Sequence, residues 1–316
     1  MENIKDYDVI IVGGGPAGLT AGLYCKRAVL ETVLFEKGLI GGQIAISKDV
    51  ENYPGVEGIT GFDLAEKLLH HAQSFGLNII QQEVAEVTAG SDHHSVLLAD
   101  GDMLRTRALI LAAGGSVRKL GVPGEAEYAG SGVSYCATCD GFFFRGKTTV
   151  VVGGGDTAVE EALYLSRLAK KVYLVHRKKE LRASKLLQNR LLSETAIEVI
   201  RNTVITEIRG DGHVVTAVAL ENSETSEKRE LPTDGVFVFI GYLPNNQLIP
   251  PGVRMNEQGY VITDDTCETS VPGIFAVGDL RQKFANQIVV AAADGCIAAL
   301  AAARYIEKKK AEGALS

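Results

Sequence analysis

Short runs of apolar and β-branched residues recur along this chain, each stopping at a glycine or an acid. Asp8–Val12 is such a run and reads as a strand; it ends in Gly13-Gly14-Gly15-Pro16-Ala17-Gly18. The alanines and leucines that follow, to about Arg27, suit a helix, and Thr32–Phe35 is a second strand ending at Glu36. Phe62–Phe75 has the spacing of an amphipathic helix, and short strands follow through about Leu98. Ala108–Ala113 reads as a buried strand closed by Gly114-Gly115, and Val117–Gly124 as a connector. Further strands are expected over 149–152, 171–175, 204–209, 213–221 and 236–240; the last of these stops at Gly241-Tyr242-Leu243-Pro244-Asn245. Gly273–Val277 is another buried strand, with an exposed acid, Asp279, at its tip. The alanine-rich stretch Ile288–Ala303 is too short to span a bilayer and is broken by Asp294-Gly295, so a buried helix is expected. Lys308–Lys310 close that helix where cations suit its dipole.

Two of these segments are copies of one unit. Strand, Gly13-x-Gly15-x-x-Gly18, helix, strand and Glu36 form a dinucleotide fingerprint in its required setting. Gly13 makes the tight turn, Gly15 lets a diphosphate approach the backbone, and Gly18 lets helix meet strand. From Gly153, 140 positions after Gly13, the pattern returns as Gly153-Gly154-Gly155-Asp156-Thr157-Ala158, with alanine in the third glycine's place. The strand Lys171–Val175 then delivers His176 to the position Glu36 holds in the first copy. A carboxylate accepts hydrogen bonds from ribose hydroxyls, whereas His176-Arg177-Lys178 and Arg182 offer cations to a 2′-phosphate. The first copy therefore reads as an FAD pocket and the second as an NADPH pocket. A solvated basic face is the bland alternative for the second, since Lys170, Lys171 and Lys179 lie nearby.

A length of 316 residues favours two domains, and 46% apolar residues with 35 glycines fit a globular α/β chain. The net charge of −7 disfavours a nucleic-acid partner. Met1–Asp6 is polar and runs straight into a strand, so no leader peptide is expected.

Between the two fingerprints lies Cys136-Ala137-Thr138-Cys139-Asp140. Thiols three positions apart can hold two electrons as a dithiol or release them as a disulfide. The same spacing is half of a zinc site, but Cys25, Cys267 and Cys296 are scattered singly and supply no second pair. Redox work is the stronger reading, no metal is expected, and a reducing cytoplasmic setting suits an odd number of cysteines. Asp140 is the candidate acid/base beside the thiols, with a turn or cap role as its alternative.

Taken together, these landmarks resemble the bacterial-type, low-molecular-weight thioredoxin reductases from end to end. The motifs carrying the resemblance are Gly13-x-Gly15-x-x-Gly18, Gly41-Gly42-Gln43, Glu51-Asn52-Tyr53-Pro54-Gly55, Cys136-Ala137-Thr138-Cys139-Asp140-Gly141-Phe142-Phe143, the second glycine loop, His176-Arg177-Lys178 and Gly278-Asp279. The resemblance implies two Rossmann-like three-layer domains: a discontinuous FAD domain, residues 1–116 and 245–316, with an NADPH domain, 117–244, inserted into it. It implies that Pro16, Ala17, Lys37, Gly42, Gln43, Asn52, Gly114 and Gly278 join the first fingerprint around FAD. Asp279 would contact the ribitol, with Gln287 and Ile288 near the pyrimidine end. Asp156 and Thr157 would join Gly153, Gly155 and the basic cluster around NADPH. Cys139 would face the flavin and Cys136 attack thioredoxin, the protein partner, in a homodimer whose inserted domain rotates on hinges near 115–123 and 242–247. Three positions depart from the family pattern: Lys178 for an arginine, Ala112-Ala113-Gly114-Gly115 for Ala-Thr-Gly, and Asn286-Gln287-Ile288 for Arg-Gln-Ala. The first keeps charge but loses the planar fork, softening the expected preference for NADPH.

The rival readings are a related flavin reductase that uses NADH or serves a glutaredoxin-like or peroxiredoxin partner, and a non-catalytic flavin or nicotinamide sensor. His70-His71 and His93-His94 are read as surface residues, and Cys25 as a buried apolar thiol. Cys267 and Cys296 are expected to have no redox role. Phe142–Phe144 could present a partner platform, cover the disulfide or fill core.

Overall fold

The structure, a computed structural model, describes residues 5–47, 50 and 52–313. Residues 1–4 and Glu51, both used above, lie outside the described set. The chain divides into two compact units, one built from residues up to Ser116 and from Leu243 onward, the other from Val117–Tyr242. Gly115–Val117 and Tyr242–Pro244, where the chain passes between the units, pair as a two-stranded ribbon. The α-helices are Pro16–Arg27 (α1), Gly61–Ser74 (α2), Ala137–Asp140 (α3), Asp156–Leu165 (α4), Lys185–Ser193 (α5) and Ile288–Ala311 (α6).

In the first unit Asn78–Gln81, Thr32–Glu36, Lys5–Val12, Met103–Leu111 and Ile274–Ala276 form a parallel sheet in that order. His94–Leu98 pairs antiparallel with the first half of Met103–Leu111, and Val84–Thr88 extends that edge. The strands are apolar runs rather than alternations because they are covered on both faces. Val9, Ile11 and Ile110 face α1 and α6, while Ile10, Val33 and Leu109 face the layer containing Val87, Val96, Val253 and Val261.

The final helix is present as expected, and its apolar part is longer than the sequence suggested. It runs unbroken through Asp294-Gly295 to Ala311. Gly295 is a packing device: a Cβ there would lie 2.1 Å from the Ala17 carbonyl oxygen, so its absence lets α6 lie against α1. Asp294 is buried but ion-paired, which removes the penalty that a lone acid would impose on an apolar helix. Among the described residues α6 is long and apolar enough to cross a membrane, yet Ala291, Ala298, Ala302 and Ile306 are core.

The second unit repeats the plan. Ile197–Ile200, Lys171–Val175, Thr148–Gly153, Gly235–Phe239 and Val133–Ser134 form a parallel sheet in that order. On one face Val151, Leu174 and Phe237 pack with α4 and α5. On the other, Val150, Val152 and Val236 meet Ile205, Val218 and Leu220 of an antiparallel sheet, Thr203–Gly210, Val215–Asn222 and Lys228–Pro232. This three-layer α/β arrangement, twice over, is the fold the sequence predicts. The strand Lys228–Pro232 escaped the pattern because it is an edge: three of its residues are charged and its face is solvated.

Candidate active site and glycine loops

The two glycine loops are built alike. A Cβ at Gly13 would fall 2.3 Å from the Ala112 oxygen, and one at Gly18 only 1.9 Å from the Gly13 oxygen. At Gly153 a Cβ would meet the Phe239 oxygen at 2.4 Å and Ala158 Cβ at 2.5 Å. These glycines are fixed by packing. Gly15 and Gly155 differ, because a Cβ on either would meet nothing within 4 Å. Both stand at the N-cap of a helix, α1 and α4, with no side chain satisfying the first-turn N–H groups. Open space before uncapped, positively polarised N–H groups fits a diphosphate.

Residues far apart in sequence converge on the first loop. Gly42 (φ +57°) would place a Cβ 3.7 Å from Gly15 Cα, and a Cβ on Gly278 would lie 3.2 Å from Ala17 Cβ. Asn52 Nδ2 donates to Gln287 Oε1 at 3.2 Å, Ile288 follows Gln287 as the first residue of α6, and Gln43 follows Gly42 in a short 3-10 helix. Glu36 is oriented by its own loop, taking the N–H of Gly14 at 2.6 Å and of Gly38 at 2.7 Å. Gly114 (φ +65°) ends the strand beside Asn245, whose N–H it accepts at 3.0 Å. Lys37 stands apart in an exposed ion pair with Glu83 at 3.1 Å. Asp279 is not the exposed tip expected: its carboxylate is partly covered and paired with buried Lys283 at 3.2 Å.

In the second unit Arg177, Lys178 and Arg182 are exposed at the strand end, and the Arg182 N–H binds the Gly154 oxygen at 2.7 Å. His176 separates from them. It is buried, its Nε2 lies 3.1 Å from the Glu180 oxygen, and Gly154 exists to clear its ring, which a Cβ would meet at 2.2 Å. Burial, with help from Arg182 and Arg177, holds its pKa below the ordinary value, so it props the loop as a neutral ring. Asp156 is likewise committed to the scaffold, accepting the Ser184 N–H at 2.6 Å. Thr157 follows it in the first turn of α4.

Cys136 and Cys139 are joined by a disulfide, Cys136 capping α3 and its Sγ accepting the Cys139 N–H at 3.2 Å. Cys139 is exposed and Cys136 partly so. Among the described residues no group of three His, Cys, Asp or Glu side chains could hold a metal. Asp140 is tied to this loop through Ser134, whose hydroxyl lies 2.5 Å from Asp140 Oδ2 and accepts the Cys136 N–H at 3.1 Å. Sequence reasoning missed Ser134, since a lone serine two positions before a cysteine belongs to no motif. It also missed Glu161 on α4, whose carboxylate accepts the Ala137 N–H. Its Oε2 is buried without a partner, and burial followed by the Glu160 charge raises its pKa.

Three side expectations resolve. His94 is not a surface residue: it is 1% exposed, with Nδ1 accepting the Gly90 N–H at 3.3 Å and the ring bonded to the Pro272 backbone. Its burial drives the pKa down to about 4. Cys25 and Cys267 are buried thiols pushed up to about 12 by desolvation. The phenylalanine run divides, with Phe144 packed edge-on against Phe237 in the core and Phe142 and Phe143 exposed.

Comparison with known proteins agrees with this geometry. The pattern of the pyridine nucleotide-disulphide oxidoreductase family matches residues 7–295. Thioredoxin reductase from Bacillus subtilis (strain 168) is 47% identical over 308 residues, 98% of this chain and 97% of that protein. The crystal structure of thioredoxin reductase from Streptococcus pyogenes MGAS5005 superposes with a TM-score of 0.93 at 42% identity, covering 96% of this chain and 99% of that one. The Lactococcus lactis enzyme in its FR conformation, 41% identical over the same shares, gives 0.65. Two fingerprints of one fold, a redox-capable disulfide and this likeness along nearly the whole length lead to one conclusion: the chain belongs to the pyridine nucleotide-disulphide oxidoreductase family.

Proposed function

We propose that this protein is a thioredoxin reductase, moving two electrons from NADPH through FAD and the Cys136–Cys139 disulfide to the disulfide of thioredoxin. The observation that carries the reading is a solvent-accessible Cys136–Cys139 disulfide in the same unit as the basic-edged glycine loop. When bound, FAD supplies a two-electron relay between nicotinamide and disulfide. The first unit suits it: Gly15 leaves room for the diphosphate, Glu36 presents oriented oxygens to a ribose, Gly42 and Gly278 close on that loop, Asp279 follows Gly278, and Asn52 is bonded to Gln287. In the second unit Gly155 has the matching gap, and Arg177, Lys178 and Arg182 would hold the 2′-phosphate.

Once the pair is reduced, the Cys136 thiolate attacks a sulfur of the partner disulfide and releases one partner thiolate. Cys139 then attacks Cys136, the mixed disulfide breaks, and the second partner thiolate leaves. Two electrons pass to the partner and the Cys136–Cys139 bond re-forms. Asp140, held by Ser134, would move the proton this exchange requires. Exposed Phe142 and Phe143 offer the partner an apolar landing beside the sulfurs.

The disulfide must reach both flavin and partner, so the NADPH unit would turn about hinges near 115–123 and 242–247. A homodimer is supported by Val289, Ile297 and Leu300, apolar residues of α6 that are 40–49% exposed at helical spacing. Unpaired Cys25, Cys267 and Cys296 fit a reducing cytoplasm. NADPH-driven reduction of thioredoxin, followed with Cys136→Ser, tests the whole reading. It should be abolished in the variant while flavin content is kept; retained turnover would overturn the assignment of the attacking thiol.

A further inference from the structure

Asp294, which interrupts the apolar pattern of α6, is 4% exposed and anchors a cluster of four charges. Its Oδ1 accepts from Arg281 Nη1 at 2.8 Å. Its Oδ2 accepts the Gly278 N–H at 3.1 Å and lies 3.4 Å from Lys283 Nζ. Arg281 is aimed by a second bond, Nε to Thr263 Oγ1 at 2.8 Å. Lys283, with a side chain only 6% exposed, spends its remaining reach on Asp279 Oδ1 at 3.2 Å. A buried ammonium is tolerated only with full compensation, and here two carboxylates share it. Arg281, Lys283, Asp279 and Asp294 together sum to zero charge.

One side chain thus fixes the Gly278–Asp279 turn twice, through the Gly278 N–H and, by way of Lys283, through the Asp279 carboxylate. We infer that Lys283 and Asp294 are positioning residues for flavin binding, holding Asp279 toward the cofactor's ribitol hydroxyls and balancing its charge. This rests on the role given to Asp279 in the proposed function. A carboxylate already neutralised by an ammonium remains a good acceptor for neutral hydroxyls, so the pair suits a polyol ligand better than a second anion. A purely structural role predicts something different: lower melting temperature with unaltered flavin properties in the folded protein.

The test measures FAD affinity of reversibly deflavinated protein and the midpoint potential of the bound flavin. The variants are Lys283→Met, Asp294→Asn, the double variant, Lys283→Arg and Asp279→Asn. Lys283→Met and Asp294→Asn should each weaken FAD binding about tenfold or more, the scale on which groups behind a ligand ordinarily act. They should move the midpoint in opposite directions. Loss of the cation lowers it and loss of the carboxylate raises it, because a reduced flavin carries negative charge. The double variant should return toward the wild-type midpoint, and Lys283→Arg should keep most of the affinity. Wild-type affinity and midpoint in folded Lys283→Met and Asp294→Asn would overturn the inference. If Asp279→Asn alone weakens binding, the inference fails and the flavin reading stands. If Asp279→Asn also binds normally, the flavin reading of that residue fails. Should Asp294→Asn not fold, Lys283→Met against Lys283→Arg decides by itself.

Discussion

At the scale of single residues, titration and hydrogen bonding decide more than identity does. His94 is buried as a neutral ring with a pKa near 4, against about 6.5 in an unfolded chain. Between those values the unfolded state binds the extra proton, so stability falls as pH drops from 6.5 toward 4. The full shift corresponds to about 3 kcal/mol. Urea midpoints measured across that window should fall, and His94→Phe should flatten the slope; an unchanged slope would place the acid sensitivity elsewhere. Lys178→Arg restores a planar, bidentate donor at the exposed strand end and should raise the NADPH-over-NADH ratio of kcat/KM several-fold, chiefly through KM. Asp140→Asn should slow turnover with thioredoxin roughly 10²-fold while sparing flavin reduction by NADPH. Some residue roles were legible in the sequence and others were not. Glu36 and His176 were located by register alone, since Glu36 closes the second strand of its copy and His176 directly follows that of the other. That His176 turns inward depends on Gly154 and the Glu180 carbonyl, contacts that no spacing rule contains.

At the scale of elements, the β–glycine–α units were legible because parallel strands covered on both faces become apolar runs and because Gly13, Gly18 and Gly153 are forced by contacts under 2.5 Å. The buried helix expected near the end of the chain is α6, and only the length of its apolar part was underestimated. Asp294-Gly295 reads as an interruption of that apolar run. The contacts invert that meaning, with glycine demanded by the Ala17 carbonyl and the acid by Arg281 and Lys283. Gly295→Ala is helix-favouring in isolation, yet it should destabilise the first unit by about 1–3 kcal/mol through overpacking against α1. Thermal unfolding gives the sign; a gain in Tm would mean that the helices separate cheaply. Lys185–Ser193 and Lys228–Pro232 were missed for different reasons: exposed Leu186 and Leu192 beside buried Leu187 and Leu191 blur the helical stripe of the first, while the second is an edge strand with a polar surface.

For the whole molecule, the family likeness extends over 98% of the chain, and the proposed mechanism depends on one unit serving two partners in turn. A cross-link between surface cysteines placed on either side of the two connectors should leave NADPH-free, dithionite-driven reduction of the disulfide intact, or NADPH-driven flavin reduction intact, but never both. Either way it should stop steady-state turnover with thioredoxin; unimpaired turnover would remove the rotating-unit proposal.

The most direct measurement is an anaerobic titration with NADPH that follows flavin absorbance and free thiols together. Electron flow through Cys136–Cys139 predicts about two new thiols per chain in step with NADPH consumed, and none in Cys139→Ser. Flavin that bleaches while the thiol count stays constant would contradict it.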